Sequence, residues 1–354
     1  MEPNFKKIDN FYYDPNSKYL GKGAFAAVYK ATDERTNTPV AVKVIPSVKL
    51  LESEDQYNLF MREINVLRQI RGEHIVCLLD VKRTTNNLYI FTDFCDGGDL
   101  EKKIKSKHPF TEEEACSILK QIADAFVTIE GSHIVNSKGS SVIVMHRDIK
   151  PANILFHQGR VKVADFGFAK FIEEAQRDTK QANTLLGTPL YMAPQILNDE
   201  RYSTKCDLWS TGVLFYELLF GKLPWTGHSV PNLYSNIKSK PLTFPKDVSN
   251  DTKDLLTKML KMREEDRITW REVYEHPALK KIDIKGGSSP HTNVQQQQFN
   301  SSPTQHQNQY HQQPQGSPYH QQTNAYAPYT NTYPTHGQQQ NAYQGGYHYP
   351  NQGK

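Results

Sequence analysis

Cysteine is scarce in this sequence, with four residues in a chain of 354. The four are Cys77, Cys95, Cys116 and Cys206, and none has a second cysteine at the C-x-x-C spacing that a paired zinc site requires. The pattern excludes a paired-cysteine zinc site. It is typical of free thiols in a reducing compartment.

Long apolar runs are also missing. No uninterrupted run reaches the ~18 residues of a membrane-spanning helix, and the amino-terminal residues lack the apolar core of a signal peptide. The formal net charge of +4 comes without a basic arm or interleaved basic and aromatic residues, which argues against a nucleic-acid partner. We expect a cytoplasmic protein with no transmembrane segment and no bound nucleic acid.

Acidic residues are absent after Asp283. From Gly286 onward the composition changes to Gln, Asn, Tyr, Pro, His, Ser and Gly, and such a segment buries too little apolar surface to offset its ordering entropy. We therefore predict a disordered tail at residues 282–354. Glutamine runs interleaved with tyrosine are typical of prion-like segments and indicate self-association or condensate partners. A solvated spacer without function is the alternative.

The residues that carry chemistry concentrate between positions 146 and 167. His-Arg-Asp-Ile-Lys-Pro-Ala-Asn begins at His146, and Asp-Phe-Gly begins at Asp165, seventeen residues after Asp148. Each polar side chain has a distinct role if the reaction is phosphoryl transfer. Asp148 orients a hydroxyl, Lys150 lies beside the moving phosphoryl group, and Asn153 and Asp165 hold Mg²⁺. A lone His-Arg-Asp is common, whereas chance does not account for the whole set.

A second cluster lies in the first seventy residues. The stretch Leu-Gly-Lys-Gly-Ala-Phe is typical of a hairpin that covers phosphates, because Gly21 and Gly23 let backbone amides approach the ligand. Lys43 lies in an apolar, β-branched run that predicts a buried strand, so it needs a carboxylate and anionic ligand atoms. Glu63, on a predicted amphipathic helix, is the natural partner. A solvated helix charge is the alternative for Glu63.

These motifs resemble those of eukaryotic protein kinases over roughly residues 13 to 281, and Lys150 together with Gly-Thr-Pro at 187–189 resembles the serine/threonine branch. The resemblance implies an α+β, bilobal fold. It has a small, mainly β N-lobe at 13–93 and a larger, mainly α C-lobe at 96–281, after an N-terminal extension at 1–12. It also implies ATP and Mg²⁺ as cofactors and protein Ser/Thr hydroxyls as substrates.

The site residues follow from the resemblance, position by position. Those implied in catalysis are Asp148, Lys150, Asn153, Lys43 and Glu63. Asn153 and Asp165 are the implied metal ligands, and Thr92 is the implied gatekeeper. Asp99 is the implied ribose contact, with a helix N-cap as the alternative or additional role. The nucleotide-binding residues implied are Leu20, Gly21, Lys22, Gly23, Ala24, Phe25, Val28, Ala41, Lys43, Thr92, Asp93, Cys95, Asp99, Leu155 and Asp165.

Regulation is expected in the segment that follows Asp-Phe-Gly. Thr184 lies four residues before Thr188, at the position commonly phosphorylated in similar kinases, and a phosphate there would pair with Arg147. We expect Thr184→Ala to lower activity. Gln195 replaces the Glu of the family pattern, whose partner is Arg267 here, so Gln195→Glu should raise thermal stability if the pair is buried.

Two other features complete the large lobe. Asp207, in a strongly apolar predicted helix, is expected to hold the backbone at His146 and Arg147, as in similar kinases. The chain between Phe126 and His146 is longer than in the family, and we predict a polar, glycine-rich surface insertion at 130–141, which loop-closure entropy tolerates.

Three stretches narrow the kinase type. Gly-Lys-Gly-Ala-Phe-Ala-Ala-Val-Tyr-Lys, Phe-Cys-Asp-Gly-Gly-Asp-Leu and Ala-Asp-Phe-Gly-Phe-Ala resemble the autophagy-initiating serine/threonine kinases, and Phe168 with Ala169 is the most specific pair. The competing class is a kinase-like pseudoenzyme that acts as a binding or assembly scaffold through its prion-like tail. Ala26, in place of a third glycine, and Gln195 are the features that such a class would claim.

Overall fold

The computed structural model describes residues 5–22, 26–46, 61, 64–107, 109–136, 138–166 and 189–284. Within these ranges the small lobe has seven strands, which are β1 (Lys6–Ile8), β2 (Phe11–Tyr13), β3 (Gly21–Lys22), β4 (Ala27–Asp33), β5 (Thr38–Pro46), β6 (Leu78–Arg83) and β7 (Asn87–Asp93). They form one antiparallel sheet in the order β1-β2-β4-β5-β7-β6, and β3 pairs with β4.

Side chains alternate between the two faces of this sheet, as strand geometry requires. On β5, Val40 and Val42 are buried in a cluster with Phe91 of β7. Ala41 and Lys43 lie on the opposite face and line a cavity. The period of two in this apolar run therefore decides which way Lys43 points.

The first two strands belong to the sheet. β1 pairs with β2, and β2 pairs with β4. Ile8 and Phe11 are buried in the same cluster as Val42, and the Phe11 ring stacks on Phe91 with a centroid distance of 3.9 Å. The extension predicted at residues 1–12 thus contributes two strands to the small lobe from Lys6 onward.

The large lobe is mainly helical in the described ranges. Its helices are α1 (Leu100–Ser106), α2 (Glu112–Gly131), α3 (Pro194–Leu197), α4 (Lys205–Phe220), α5 (Val230–Ser239), α6 (Asn250–Met259), α7 (Trp270–Tyr274) and α8 (Pro277–Lys280). α2 starts at a capping box, in which Thr111 and Glu114 each bond the other's backbone N–H. α4 is apolar and buried along most of its length, so it forms the centre of the large-lobe core.

Two further segments complete the described fold, and the first of them, a small sheet, has its buried residues in the large-lobe core. β8 (Ile154–His157) and β9 (Arg160–Val163) form a two-stranded sheet directly after the 3₁₀ turn Pro151–Asn153. Residues 64–75 contribute to both cores, since Ile64 is buried among the small-lobe strands whereas Val66 and Ile70 belong to the large-lobe cluster.

The predicted α+β, bilobal fold is confirmed. The insertion predicted at 130–141 begins in the last turn of α2 and continues as a hairpin, with a bridge between Val135 and Ser141. The predicted tail lies outside the described residues from position 285 onward. Across the ranges that the structure does describe, no helix is both long and apolar enough to cross a membrane.

Candidate active site

A cavity of about 360 Å³ lies between the small-lobe sheet and the β8–β9 sheet. Most of the predicted nucleotide-binding residues line it, namely Leu20, Gly21, Val28, Ala41, Lys43, Thr92, Asp93, Cys95, Asp99, Leu155 and Asp165. Lys22 does not line the cavity. Its ammonium lies 5.8 Å from the centre of the Tyr19 ring, which is not part of the cavity wall either. The predicted contacts Gly23, Ala24 and Phe25 lie outside the described residues.

Lys43 points into this cavity and pairs with Asp165. The distance from Lys43 Nζ to Asp165 Oδ2 is 3.1 Å, although the two residues are 122 positions apart. This ion pair supplies the carboxylate that a lysine in an apolar strand requires. Glu63, the partner predicted for Lys43, lies outside the described residues.

The backbone of the catalytic loop is held by Asp207 from α4. Asp207 Oδ2 accepts a hydrogen bond of 2.8 Å from the His146 N–H, and Oδ1 accepts one of 2.7 Å from the Arg147 N–H. Burial raises the pKa of Asp207, while the bonds from these two residues oppose that rise. Arg147 has a φ of 68°, a strained value for a residue with a side chain, which both bonds help to maintain.

His146 connects the two motifs. Its Nδ1 accepts the Asp148 N–H at 3.2 Å, so its Nε2 is the protonated nitrogen and donates to the Ala164 carbonyl at 2.7 Å. The Phe166 ring meets the His146 ring edge-on, with a centroid distance of 4.6 Å. The position of Asp165, between Ala164 and Phe166, is thereby fixed relative to the catalytic loop.

One carboxylate oxygen of Asp148 accepts hydrogen bonds from neighbouring side chains, and the other has no hydrogen-bond partner among the described residues. Its Oδ2 accepts hydrogen bonds from Lys150 Nζ at 2.7 Å and from Asn153 Nδ2 at 2.9 Å. Its Oδ1 is buried and has no hydrogen-bond partner among the described residues. A buried acceptor without a partner is costly, so Oδ1 is suited to accept a hydrogen bond from a hydroxyl group of a bound molecule.

Asn153 and Asp165 offer oxygen atoms to a cation. Asn153 Nδ2 donates to the Asp148 backbone carbonyl at 2.8 Å as well as to its carboxylate, which leaves the Asn153 Oδ1 for another ligand. The Asp165 side chain is 39% exposed and its φ is 63°. In the described part of the chain no group of three or more His, Cys, Asp or Glu side chains is arranged to hold a metal ion.

The strand that leads out of the small lobe supplies the far wall of the cavity. Thr92, Asp93 and Cys95 all line it. The Asp93 carboxylate accepts the Cys77 N–H at 2.9 Å, which ties the end of β7 to the residue before β6. Burial raises the pKa of the Cys95 thiol to about 11, which disfavours the thiolate form.

Asp99 is the N-cap of α1. Its Oδ1 accepts the Lys102 N–H at 2.8 Å, and its Oδ2 contacts Lys102 Nζ at 2.6 Å. The same residue lines the mouth of the cavity. The cap that the sequence analysis offered as the alternative to a ribose contact is therefore present, and the ribose role stays a prediction.

Several apolar lining residues were not assigned by the sequence analysis. Among them are Leu67, Ile70, Val76, Leu78, Ile90 and Phe166. Leu67 and Ile70 share the helical spacing that marks an apolar face, and Leu78 and Ile90 alternate with outward residues on neighbouring strands. That periodicity identifies buried residues, but it does not tell a core position from a cavity wall.

Gln195 bonds Arg267, as expected, and also bonds an acid. Arg267 Nη2 donates to Gln195 Oε1 at 2.9 Å, and Gln195 Nε2 donates to Glu264 Oε1 at 3.0 Å. Both Gln195 and Arg267 are buried, and burial lowers the pKa of Arg267 to about 10. Gln195 therefore accepts from a cation and donates to a carboxylate. A glutamate at this position would keep the bond to Arg267 and lose the bond to Glu264, so a rise in thermal stability no longer follows from the pairing with Arg267 alone.

A family model described as protein kinase domain matches residues 15–279. The chain belongs to the protein kinase family. This agrees with the lobes, the cavity and the motifs of the catalytic loop described above.

Curated relatives at similar identity carry several kinase names. The chain is 34% identical over 282 residues to serine/threonine-protein kinase atg1 of Dictyostelium discoideum, covering 77% of this chain and 40% of the relative. It is 34% identical over 292 residues to serine/threonine-protein kinase unc-51 of Caenorhabditis elegans, covering 77% and 32%. Calcium-dependent protein kinase 3 of Plasmodium yoelii yoelii is 35% identical over 288 residues, covering 77% and 50%. The chain thus spans half or less of the length of these relatives, and its predicted resemblance to serine/threonine kinases of the atg1 and unc-51 type is confirmed.

Proposed function

We propose that the chain is an active serine/threonine protein kinase, which transfers the γ-phosphoryl group of ATP to Ser or Thr hydroxyls of proteins. One observation carries the proposal. Lys43, Asp165 and Asn153 line a single cavity, and Asn153 is bonded to Asp148, although Lys43 is 122 positions away from Asp165 in the sequence. A family member that serves only as a scaffold has no need for this convergence.

Asp148 is the residue that orients the accepting hydroxyl. Its unpaired, buried Oδ1 is the acceptor, while Lys150 and Asn153 hold the other oxygen. The ammonium of Lys150, which Asp148 holds, would stabilise negative charge on the transferred group. Lys43 binds the phosphates of the nucleotide, with Asp165 and, by prediction, Glu63 as its carboxylate partners.

Asp165 and Asn153 fit the ligand chemistry of Mg²⁺, which prefers carboxylate and amide oxygens completed by phosphate oxygens. Held by these two residues, Mg²⁺ would supply positive charge beside the phosphates of the nucleotide. The protein's own contribution is to hold both oxygens in place. Asn153 is fixed through its bonds to Asp148, and Asp165 through the ion pair with Lys43.

An autophagy-initiating role is the finer proposal, in a cytoplasmic setting. It is supported by the identity to kinases named atg1 and unc-51 and by Phe168 and Ala169 after Asp-Phe-Gly. Calcium-dependent protein kinase 3 has a similar identity, so overall similarity does not separate the two types. Substituting Phe168-Ala169 and assaying autophagosome formation in cells of the source organism would test the assignment.

Two further predictions concern residues outside the described ranges. Phosphorylation of Thr184 would add negative charge opposite Arg147 and order the surrounding segment. The tail would provide self-association or condensate partners. Phosphatase treatment that leaves turnover unchanged would contradict the first, and unaltered localisation after deletion of residues 286–354 would contradict the second.

A phosphate-transfer assay tests the central proposal. The full chain is incubated with Mg²⁺, ATP labelled at the γ-phosphate and a generic protein substrate, beside Asp148→Asn and the matched exposed control Asp251→Asn. We expect Asp148→Asn to lower transfer by about 10²–10⁴-fold, and Asp251→Asn to match the native chain. Label incorporation that is absent from the native chain, or equal in Asp148→Asn, would favour the pseudoenzyme.

A further inference from the structure

The insertion predicted at 130–141 contains a hairpin with its own folding determinants. We define the insertion hairpin as residues 134–136 and 138–142. Its turn is built by Asn136, whose Oδ1 accepts the N–H groups of Lys138 and Ser140 at 2.9 and 3.1 Å, and by Gly139, which has a φ of 76°. At its base Ile134 is 3% exposed and belongs to the large-lobe core.

The side chain of Gln69, which lies outside the hairpin, bonds both backbone groups of Val135. Gln69 Nε2 donates to the Val135 carbonyl at 2.7 Å, and Gln69 Oε1 accepts the Val135 N–H at 3.1 Å. The amide of Gln69 thereby takes the place of a neighbouring strand. Its Nε2 also donates to the Asn65 carbonyl at 2.9 Å, one helical turn earlier, so the contact is joined to the backbone of its own segment.

The segment that carries Gln69 forms the back of the cavity. Leu67 and Ile70, on either side of Gln69, line the cavity wall. Ile64 belongs to the small-lobe core and Ile70 to the large-lobe core, so the segment spans the junction of the lobes. A shift of this segment that moves Leu67 and Ile70 has to break both bonds between Gln69 and Val135, or move the hairpin with the segment.

We propose that the insertion hairpin is a strut that fixes the back wall of the nucleotide cavity, with Gln69 as the positioning residue. The proposal rests on the proposed function, because it assigns the cavity to an adenine nucleotide. It gives a purpose to a segment that the catalytic motifs do not explain. The strut acts on nucleotide affinity and leaves the transfer chemistry at Asp148 unaltered.

The first pair of variants changes Gln69 in the full chain. Gln69→Met keeps the length of the side chain and removes both bonds to Val135. Asn65→Met is the matched control, since Asn65 is an exposed residue of the same segment with no side-chain bond in the described part of the chain. We expect the Kd for Mg-ATP to rise about three- to tenfold in Gln69→Met, and to stay within about twofold in Asn65→Met.

The second pair changes the turn from the other side. A Cβ added at Gly139 meets no atom within 4 Å, so a substitution there acts only through the positive φ. Gly139→Val is strained at this φ, whereas Gly139→Asn tolerates it. We expect the Kd to rise in Gly139→Val and to stay near the native value in Gly139→Asn.

The readouts separate a strut from ordinary stabilisation. In both damaging variants KM for ATP should rise with Kd, while KM for the protein substrate stays the same, and the double variant should bind no more weakly than the weaker single variant. A lower melting temperature with native Kd and KM, or effects that multiply in the double variant, would overturn the strut. A native chain that binds no Mg-ATP would instead overturn the proposed function.

Discussion

Two anchoring points in the large lobe use opposite chemistry. The catalytic loop is held by Asp207, a buried anion whose two oxygens each accept a backbone N–H. The segment that ends at Gln195 is held by Arg267, a buried cation that donates to three backbone carbonyls and to the Gln195 amide. The first contact fixes backbone directly, and the second fixes it through a neutral side chain.

The difference teaches where a substitution is tolerated. The N–H groups that Asp207 bonds are present whatever residues occupy the loop, so only an acceptor at position 207 satisfies both. At position 195 an amide both accepts from Arg267 and donates to Glu264. Gln195 therefore does not simply lack the charge of a glutamate, because its donor satisfies a carboxylate nearby.

Asp207→Asn should have the largest effect. The new side-chain amide has one oxygen and one NH₂ group, so it accepts from only one of the two backbone N–H groups of His146 and Arg147. The other N–H loses its acceptor and is left unpaired in a buried position. We expect the free energy of unfolding to fall by about 2–4 kcal/mol, with a loss of phosphate transfer. Denaturant unfolding beside the transfer assay measures both. A native midpoint with native activity would show that Asp207 does not hold the loop.

Gln195→Glu should have an intermediate effect, and its sign sharpens the comparison. The new carboxylate pairs with Arg267 but faces Glu264 across a contact that is 3.0 Å in the native chain, so we expect no gain in melting temperature from the single change. The double change Gln195→Glu with Glu264→Gln restores a donor opposite the carboxylate. The free energy of unfolding of the double variant should exceed that of Gln195→Glu by about 1–2 kcal/mol.

Melting temperatures of the native chain, both single variants and the double variant complete this cycle. The coupling between positions 195 and 264 should be favourable in the double variant. Additive effects would mean that the bond between Gln195 and Glu264 contributes nothing, and a more stable Gln195→Glu alone would support the simpler expectation from sequence.

Asp99 also accepts a backbone N–H, but only one and at a partly buried position at the start of α1, so its effect should be the smallest. Asp99→Ala removes the cap of α1 and should cost about 1 kcal/mol, whereas Asp99→Asn keeps an accepting oxygen and should cost a few tenths. The thermal unfolding of both variants measures this. If Asp99→Asn nevertheless weakens ATP binding more than binding of a nucleotide that lacks the ribose hydroxyls, the ribose role gains support. Equal weakening would leave Asp99 as a cap alone.

The residues that were easiest to predict are close together in sequence or held by strand geometry. Asp148, Lys150 and Asn153 lie within six positions, so one motif defines their chemistry. Lys43 followed from the period of two in an apolar strand, and its cavity is the one that Asp165 lines. The expected hold of Asp207 on the catalytic loop is present in the hydrogen bonds.

Other contacts depend on packing between distant segments and left no local signal. The bonds of Gln195 to Glu264 and of Gln69 to Val135 join residues 69 and 66 positions apart, and nothing in the neighbouring residues marks either pair. β1 and β2 are three residues each, too short for an alternating pattern, so the sequence assigned them to an extension. Their place in the sheet comes from the burial of Ile8 and Phe11 against Phe91.

The central claim is that Lys43, Asp165, Asn153 and Asp148 surround one nucleotide with its metal ion. Its most direct test is equilibrium binding of ATP to the full chain with and without Mg²⁺, in the native chain and in Asp165→Asn and Asp148→Asn. We predict that Mg²⁺ tightens binding to the native chain and to Asp148→Asn, and that this tightening is lost in Asp165→Asn. Mg²⁺-dependent binding that persists unchanged in Asp165→Asn, or no binding by the native chain, would contradict the account.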